Sequence, residues 1–291
     1  MIPFQNQALF WDVRPEDIDT VKHKRWLIER VAQWGTYEDI LQLLKVYSPA
    51  EIQTVIANSR AVDARTSLFW ETVGRRMEMY ENVLPDKTQE IWDRIAELAS
   101  SHNFVLVGGT ALALRLGHRE SEDLDLFTNR HFASDKLVAN LNSMLADGDR
   151  LEIVSKERED TLHIRYNEVK ISFLYQAGEH LQEFELWRGM AIASQNAIIA
   201  MKLNAVAGRG ERKDFVDLYA VCQAGLSFEK MLLSGFPLLP NLNRYHVLRS
   251  LTYFEDAEET PPLRLFREYS WEEIKRFFRE QTRHYLLGKE E

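Results

Sequence analysis

The amino-acid sequence predicts an α+β fold: a small mixed β-sheet with a helical C-terminal half, preceded by an all-α N-terminal module. Three observations predict it. Segments with helix start signals fill residues 15–81, strand-like segments concentrate between residues 104 and 175, and helical periodicity prevails from Ser194 onward. Strands followed by helices, with few β–α–β repeats, are typical of a small sheet backed by helices.

Composition narrows the function classes before any motif is considered. The chain has 291 residues, 45% hydrophobic and 28% charged, which is enough for two modest domains or one large one. Its net charge of −9 argues against a broad, non-specific nucleic-acid binder but leaves room for a local basic groove. The lone Cys222 excludes an intramolecular disulfide, and the N-terminal segment lacks the features of a signal peptide. Because no stretch approaches the roughly 20 apolar residues of a membrane span, we expect a soluble cytoplasmic protein without a membrane partner.

The first predicted domain, residues 1–84, is a module of short helices. The segment Ser48-Pro49-Ala50-Glu51 has the pattern of a capped helix N-terminus. Thr36 offers a similar cap to the preceding helix, and Gly35 is a fitting end for the helix before that. Because Pro85-Asp86 interrupts the helical pattern, the domain boundary is predicted near residue 84.

The second predicted domain, residues 85–291, contains the sheet. Its predicted elements before the helical half are a helix at 87–100, a strand at 104–107, a helix at 110–116, a strand at 123–127, a helix at 134–146, and strands at 151–156, 161–166 and 169–175. The last two strands form a hairpin that turns at Asn167-Glu168.

The segment from 105 to 127 carries the strongest chemical pattern. Gly108 and Gly109 lack Cβ atoms, so the backbone can approach a ligand closely, and the helix that follows presents free N–H groups to a phosphate. Asp123 and Asp125 are two residues apart on a strand, so both carboxylates point to one face. Two such charges repel each other unless a cation lies between them. The predicted cation is Mg²⁺, which binds through one or two carboxylates and substrate phosphates, with Mn²⁺ as the alternative. Solvated acids at a strand end are the competing interpretation.

This pattern resembles the signature of the nucleotidyltransferase superfamily related to DNA polymerase β. Within that superfamily, GGTALALRLGHRESEDLDLF is similar to the AbiEii/AbiGii toxin family, and the similarity continues in MKLNAVAGRGERKDFVDLY, YFEDAEETPPLRLF and SWEEIKRFF. The resemblance implies that the triphosphate is held by Gly108, Gly109 and Thr110 and the metal by Asp123 and Asp125. It further matches the R-x-S motif before the acids, which implies that Arg119 and Ser121 bind the nucleotide. It also matches the family's downstream lysine and acidic positions, which implies a nucleotide-binding and catalytic Lys202 and catalytic Asp214 and Asp217.

The downstream residues also form a pattern of their own. Lys202 and Arg209 are seven residues apart and share one helix face, and the glycines beside Arg209 break that helix. Asp214 and Asp217 follow at i and i+3 on the next helix. Cations and acids that converge there are suited to grip phosphates and to orient an acceptor hydroxyl. A salt-bridged surface helix is the alternative.

One residue departs from the superfamily pattern. Many relatives of polymerase β place a third carboxylate on a later strand, where it completes a two-metal site. Here that strand reads VKISFLY, with Ser172 on the face opposite Ile171 and Phe173. Three explanations stay open at this point: Asp214 or Asp217 supplies the missing acid, a single metal suffices, or the activity is weak.

Other candidates carry weaker predictions. The histidines lack zinc-site spacing, and His118 is predicted to be structural or exposed although it adjoins the glycine–acid segment. Cys222 is predicted to be a small core residue. The tryptophans of the N-terminal module that are predicted to be core or interface anchors are Trp11, Trp26, Trp34 and Trp70.

These patterns predict an enzyme that transfers NMP from an NTP–Mg²⁺ complex to a hydroxyl and releases pyrophosphate. The family resemblance implies a tRNA 3′ end as acceptor, a toxin–antitoxin or phage-defence role, and an antitoxin protein as partner. Two alternatives stay open: a catalytically silent nucleotide- or partner-binding module, which Ser172 favours, and NMP transfer to a protein or small molecule. Residues 1–84 hold 10 basic and 12 acidic residues, so the basic face of a DNA-binding helix-turn-helix is not evident. This module resembles a small helical domain found beside such transferases, which implies an antitoxin-like, inhibitory or positioning role.

Overall fold

A computed structural model of the chain describes residues 7–14, 17–77, 79–178, 181 and 183–288. Its contacts divide the chain into two units, Met1–Glu78 and Met79–Glu291. The predicted boundary near residue 84 falls a few residues later than this division. The difference arises because Val83 and Leu84 are buried in the hydrophobic core of the second unit.

The first unit is helical. Its described helices are α1 (Lys24–Trp34), α2 (Tyr37–Val46), α3 (Pro49–Ala57) and α4 (Ala64–Met77), after a 3₁₀ turn at Gln7–Phe10. Two capping boxes start α2 and α3: Thr36 and Asp39 bond each other's backbone N–H, and Ser48 and Glu51 do the same. Both boxes confirm the predicted helix starts, and a cap of this kind typically contributes about 1 kcal/mol. The buried core of this unit consists of Leu9, Phe10, Leu27, Ile28, Val31, Leu43, Tyr47, Ile52, Ile56 and Trp70.

The tryptophans of this unit occupy different environments. Trp70 is buried and Trp26 packs against the core, but Trp11 and Trp34 are 81% and 72% exposed. A core role is therefore wrong for these last two. Together they line an open pocket of about 600 Å³, in which the guanidinium of Arg30 lies over the rings of Trp11 and Trp26.

The second unit holds the sheet and the C-terminal helices. Its described strands are β1 (Val105–Val107), β2 (Leu124–Thr128), β3 (Leu151–Lys156), β4 (Thr161–Tyr166), β5 (Val169–Tyr175), β6 (Phe184–Trp187) and β7 (Met190–Ala193). Its described helices are α5 (Asp86–Ser101), α6 (Gly108–Leu116), α7 (Ser134–Ser143), α8 (Gln195–Gly208), α9 (Arg212–Gln223), α10 (Phe228–Gly235), α11 (Arg244–Ser250), α12 (Glu255–Glu258) and α13 (Trp271–Leu287). This order confirms the predicted α+β class with a helical C-terminal half.

The strands form one mixed sheet in the order β3-β4-β5-β2-β1-β7-β6. The central strand β1 pairs antiparallel with β2 and parallel with β7, while β2 pairs parallel with β5. In this register, Val107 at the end of β1 lies opposite Asp125, and Asp125 lies opposite Ser172 on β5. The glycine pair that follows Val107 is thereby brought beside the acidic strand.

Alternation of apolar and polar residues fixes which face of the sheet is buried. Leu124 and Leu126 on β2 are fully buried, and so are Ile171 and Phe173 beside them on β5. The intervening residues, such as Asp125, project from the opposite face and are half-buried. Because each buried leucine contributes about 1.5–3 kcal/mol, a one-residue slip of β2 would be costly, so the acids are held on the open side.

Some elements differ from the sequence prediction. The β6–β7 hairpin was not predicted; it turns at Arg188 and Gly189, which both adopt positive φ, 44° and 77°. Helix α6 begins at Gly108 rather than Thr110, and β2 begins just after Asp123. The predicted break between α8 and α9 is confirmed. None of the described helices is both long and apolar enough to cross a membrane.

Candidate active site

At the turn between β1 and α6, side chains from neighbouring segments lie close to the backbone of two glycines. Gly108 has a φ of +70°, and a Cβ added there would lie 2.6 Å from the carboxylate oxygen Oδ2 of Asp125. A Cβ at Gly109 would press against Nη2 of Arg119. A side chain at Gly108 would be strained by the positive φ and would displace the Asp125 carboxylate, and one at Gly109 would displace the Arg119 guanidinium. The N-terminal amides of α6 begin at this turn, beside the acidic strand, which is a favourable place for an anion.

The acidic pair lies at the start of β2. Asp125 is on the strand and Asp123 immediately precedes it, and both side chains are half-buried. Burial and the neighbouring charge of Asp123 raise the pKa of Asp125 above its ordinary value. Lys202, Lys213 and Arg209 oppose this shift from a distance, but each forms its own ion pair with another carboxylate. The charge on the acidic pair is thus incompletely neutralised by the protein.

The donor set at this position suits a hard divalent cation that takes further ligands from elsewhere. Two carboxylates converge there, and among the described residues no group of three or more His, Cys, Asp or Glu side chains is arranged to hold a metal ion. A cation at Asp123 and Asp125 would complete its coordination with water and substrate oxygens, as Mg²⁺ commonly does. The raised pKa of Asp125 also fits, because burial and the charge of Asp123 both oppose its ionised form, and a bound cation would favour that form.

Thr110 and Ser121, both predicted to bind nucleotide, turn their side chains into the protein. Their hydroxyl oxygens lie 2.8 Å apart, and that of Thr110 also donates to the backbone carbonyl of Asp123. Both residues are buried. These bonds tie α6 to the segment before β2, so the two side chains hold the turn and the acidic strand together.

Behind the turn lies a second group of charged residues, contributed by α8 and α9. Lys202 on α8 places its Nζ 2.9 Å from Oδ1 of Asp214 and 2.6 Å from Oδ2 of Asp217. The Lys202 side chain is 4% exposed, and both carboxylates are fully buried. Arg209, which is half-exposed, donates two further hydrogen bonds to Asp214, at 3.0 and 3.1 Å. The predicted convergence of these residues is confirmed, although three of them are buried rather than on a surface helix.

Asp217 also binds two residues from the segment that follows α6. Arg119 donates to its two oxygens at 2.7 and 2.9 Å, and Nε2 of His118 lies 2.7 Å from Oδ1. Burial opposes ionisation of Asp217, but the charges of Arg119 and Lys202 outweigh it and hold its pKa well below the ordinary value. The pKa of Asp214 is likewise lowered against the effect of burial, by Lys202 and Arg209.

These contacts change the predicted roles of several residues. A carboxylate with a low pKa that is saturated by cationic donors is a poor proton acceptor, so the geometry favours positioning roles for Asp217 and Asp214 rather than base catalysis. Arg119, predicted to bind nucleotide, lies beside Gly109 and donates to both carboxylate oxygens of Asp217. His118, predicted to be structural or exposed, is buried, and burial lowers its pKa and favours the neutral ring. No sequence signal pairs these residues with Asp217, which lies about a hundred positions away.

The chain is similar to known protein families over the segments that contain these residues. A family model described as the nucleotidyl transferase AbiEii toxin of a type IV toxin–antitoxin system matches residues 90–238, just over half of the chain. A second model, DUF6922, a family of unknown function, matches residues 5–56. An uncharacterised protein of Aquifex aeolicus is 31% identical over 211 residues, which cover 70% of this chain and 98% of that protein.

Solved structures with partial likeness include JHP933 of Helicobacter pylori, with 19% identity and a TM-score of 0.44 over 73% of this chain and 96% of that one. MenT4, a nucleotidyltransferase toxin of Mycobacterium tuberculosis, has 15% identity and a TM-score of 0.37 over 68% of this chain and 84% of that one. The family match at residues 90–238 contains the glycine turn, the acidic pair and the buried charged group. The chain therefore belongs to the AbiEii nucleotidyltransferase toxin family and is a nucleotidyltransferase.

Proposed function

We propose that this enzyme transfers NMP from an NTP–Mg²⁺ complex to a hydroxyl acceptor, the 3′ end of a tRNA, as the toxin of a toxin–antitoxin system. One observation carries the proposal: two neighbouring carboxylates, incompletely neutralised, face a glycine turn at the start of a helix. A metal–triphosphate complex matches both halves of this arrangement. Its cation neutralises the acids, and its phosphate oxygens accept hydrogen bonds from the helix N-terminus.

The proposed roles follow from position. Asp123 and Asp125 would hold Mg²⁺, which supplies charge neutralisation to the phosphates when bound. Gly108 and Gly109 let the triphosphate approach the α6 amides. Arg209 is the half-exposed member of the charged group and is the cation best placed to contact a phosphate oxygen.

The remaining residues would act by positioning. Lys202, Asp214, Asp217 and Arg119 form a buried ion-pair group that fixes α6, α8 and α9 relative to one another. Thr110 and Ser121 fix the turn. Catalysis in such a site is mainly positioning and electrostatic stabilisation of the phosphates.

The tRNA acceptor and the toxin role rest on the family. The matched family is described as a toxin of a type IV toxin–antitoxin system, which supports an antitoxin protein as partner. A tRNA acceptor and NTP donors would place the reaction in the cytoplasm.

The test is a labelling screen of the purified protein. Each of the four α-³²P-NTPs with Mg²⁺ is supplied together with total bacterial RNA, a protein extract, or a small-metabolite fraction. We expect label in the tRNA band, and no label above background with Asp123→Asn or Asp125→Asn. Label in protein or metabolites would show that the acceptor is a protein or a small molecule and not a tRNA. Label in none of the fractions would favour a catalytically silent binding module.

For the first unit, Met1–Glu78, we propose a regulatory role. Its core is formed from its own residues, and its two exposed tryptophans flank an open pocket. A chain that begins at Met79 should therefore keep nucleotide transfer but change in toxicity when expressed. Equal toxicity of the two chains would contradict a regulatory role.

A further inference from the structure

Transfer to a hydroxyl needs a group that takes the hydroxyl proton, and the predicted acids are poorly suited to that task. Asp214 and Asp217 accept hydrogen bonds from buried cations, and their pKa values are lowered. The β5 position beside Asp125, where the superfamily resemblance implies a third carboxylate, is Ser172. A proton acceptor must therefore be sought among the side chains that stand where the missing carboxylate would be.

The register of three strands shows what stands there. Asp125 on β2 is the direct partner of Ser172 on β5, and Ser172 is the direct partner of His163 on β4. Register partners on neighbouring strands, about 4.8 Å apart, point their side chains to the same face. The three side chains therefore form a row across the sheet, on the face that carries the acidic pair.

Two members of this row, Ser172 and His163, are hydrogen-bonded to each other and accessible to solvent. Nδ1 of His163 lies 3.0 Å from Oγ of Ser172. Both residues are half-buried, while their strand neighbours on the opposite face, such as Leu162 and Ile164, are buried and hold β4 in place. An imidazole nitrogen within hydrogen-bond distance of a hydroxyl can accept its proton.

We propose that Ser172 and His163 relay the proton from the acceptor hydroxyl. As the acceptor oxygen forms its bond to the α-phosphorus and the bond to pyrophosphate breaks, the acceptor hydroxyl gives its proton to Oγ of Ser172. The Ser172 hydroxyl gives its own proton to Nδ1 of His163, which becomes imidazolium, and pyrophosphate leaves with the bonding electron pair. Ser172 touches the acceptor, and His163 acts through it. This inference rests on the proposed transfer to a hydroxyl at Asp123 and Asp125.

The surrounding sheet face is compatible with a nucleic-acid acceptor. Arg165 and Lys170 are register partners of each other, follow His163 and precede Ser172 on the same face, and are exposed. Glu152 on β3 is the partner of Arg165 on the outer side. Two exposed cations beside the relay suit the phosphates of a bound RNA strand.

The experiment compares variants of the full-length protein with the NTP that the wild type transfers, with Mg²⁺ and total RNA. His163→Phe and Ser172→Ala should each lower kcat about 10²-fold or more, the size of general-base assistance, while the KM for the NTP stays within about twofold. His131→Phe is the matched control: His131 pairs with Asp160 and stacks on Tyr175, outside the row. Its kcat should equal that of the wild type.

A double variant separates chemistry from folding. Ser172→Asp restores a carboxylate beside Asp125, so Ser172→Asp combined with His163→Phe should regain at least tenfold in kcat over His163→Phe alone. Wild-type kcat in both single variants overturns the relay and leaves the proposed function intact. Loss of NTP binding together with kcat, without rescue in the double variant, shows a structural role and also overturns it. A wild-type protein that labels no acceptor overturns both proposals.

Discussion

Two pairs of aspartates at the candidate active site differ in their burial and in the counter-charges that surround them. Asp214 and Asp217 are fully buried and receive Lys202, Arg119 and Arg209 as counter-charges. The other pair, Asp123 and Asp125, is half-buried and faces an open turn, with the pKa of Asp125 raised by burial and by its neighbour. The protein supplies the cations for the first pair from its own side chains, whereas the second pair lacks full compensation.

This difference predicts that the buried pair stabilises the structure and that the half-buried pair binds a ligand. A buried ion-pair group that is complete within the chain resists change, because removal of one member leaves a charge without a partner. An incomplete pair near the surface gains most from a cation that arrives with the substrate.

The largest effect is expected at the compensated pair. Asp217→Asn leaves Arg119 and Lys202 buried with one counter-charge fewer, so unfolding free energy should fall by about 3–5 kcal/mol. Urea unfolding measured by circular dichroism checks this. Asp135→Asn is the control, since Asp135 pairs with Lys156 on the surface, and its removal should lower the unfolding free energy far less. An equal decrease in unfolding free energy in the two variants would show that the buried ion-pair group stabilises the protein no more than a surface ion pair does.

The next effect concerns the ligand at the open pair. At 100 times its dissociation constant, an NTP–Mg²⁺ complex should stabilise the wild type by about 2.7 kcal/mol. Asp123→Asn and Asp125→Asn should abolish this gain, measured as the shift in melting temperature with and without Mg²⁺. A shift of wild-type size in both variants would place the nucleotide elsewhere.

A smaller effect is expected from the glycine turn. Gly108→Ala forces a side chain into positive φ, at about 1–2 kcal/mol, and pushes against the Asp125 carboxylate. Gly148→Ala is the matched control: its φ of +92° carries the same backbone penalty, but no atom lies within 4 Å of the added Cβ. Gly148→Ala should lose stability through the backbone penalty alone and Gly108→Ala at least as much, and only Gly108→Ala should lose Mg²⁺-dependent NTP binding. Retained binding would mean that the close approach has no function.

The smallest expected effect is a gain in stability, in contrast to the losses above. The pKa of Asp125 is raised above 3.8, so the native state binds this proton more tightly than the unfolded chain, and stability falls as pH rises through the raised pKa. Asp125→Asn removes this loss. Without metal, the variant should be more stable than the wild type at pH 7, and the gap should close toward pH 4. Urea titrations at the two pH values test it, and a destabilised variant at pH 7 would contradict the assignment.

The sequence predicted those features that depend on local rules. Capping boxes at Thr36 and Ser48 involve residues three apart, and the strand alternation around Asp123 and Asp125 spans five positions. The hairpin at Arg188-Gly189 was missed because its turn lacks the usual asparagine or aspartate before glycine, although both residues adopt the required positive φ.

Features that depend on contacts between residues far apart in the sequence were not predicted. Lys202 and Asp214 were expected to meet because they lie close in sequence, but nothing local assigns Arg119 and His118 to Asp217. Burial decides whether a carboxylate acts as a base or as an anchor, and burial is a property of the folded chain. The same holds for His163, an ordinary strand residue until the register sets it beside Ser172.

The sheet order also has a consequence for the order in which the candidate site is completed during synthesis. Strand β1 cannot complete its pairing until β7 has been made, because Val105 pairs with Ala191, and Arg119 cannot bind its partner until Asp217 has been made. On the ribosome, Asp217 is added about 90 residues after Asp125, a delay of roughly 5–20 s at usual synthesis rates. A nascent chain therefore contains its acidic pair well before it contains the buried partner of Arg119. Chains that stop short of α9 lack Asp214 and Asp217, and with them the buried ion pairs of the site.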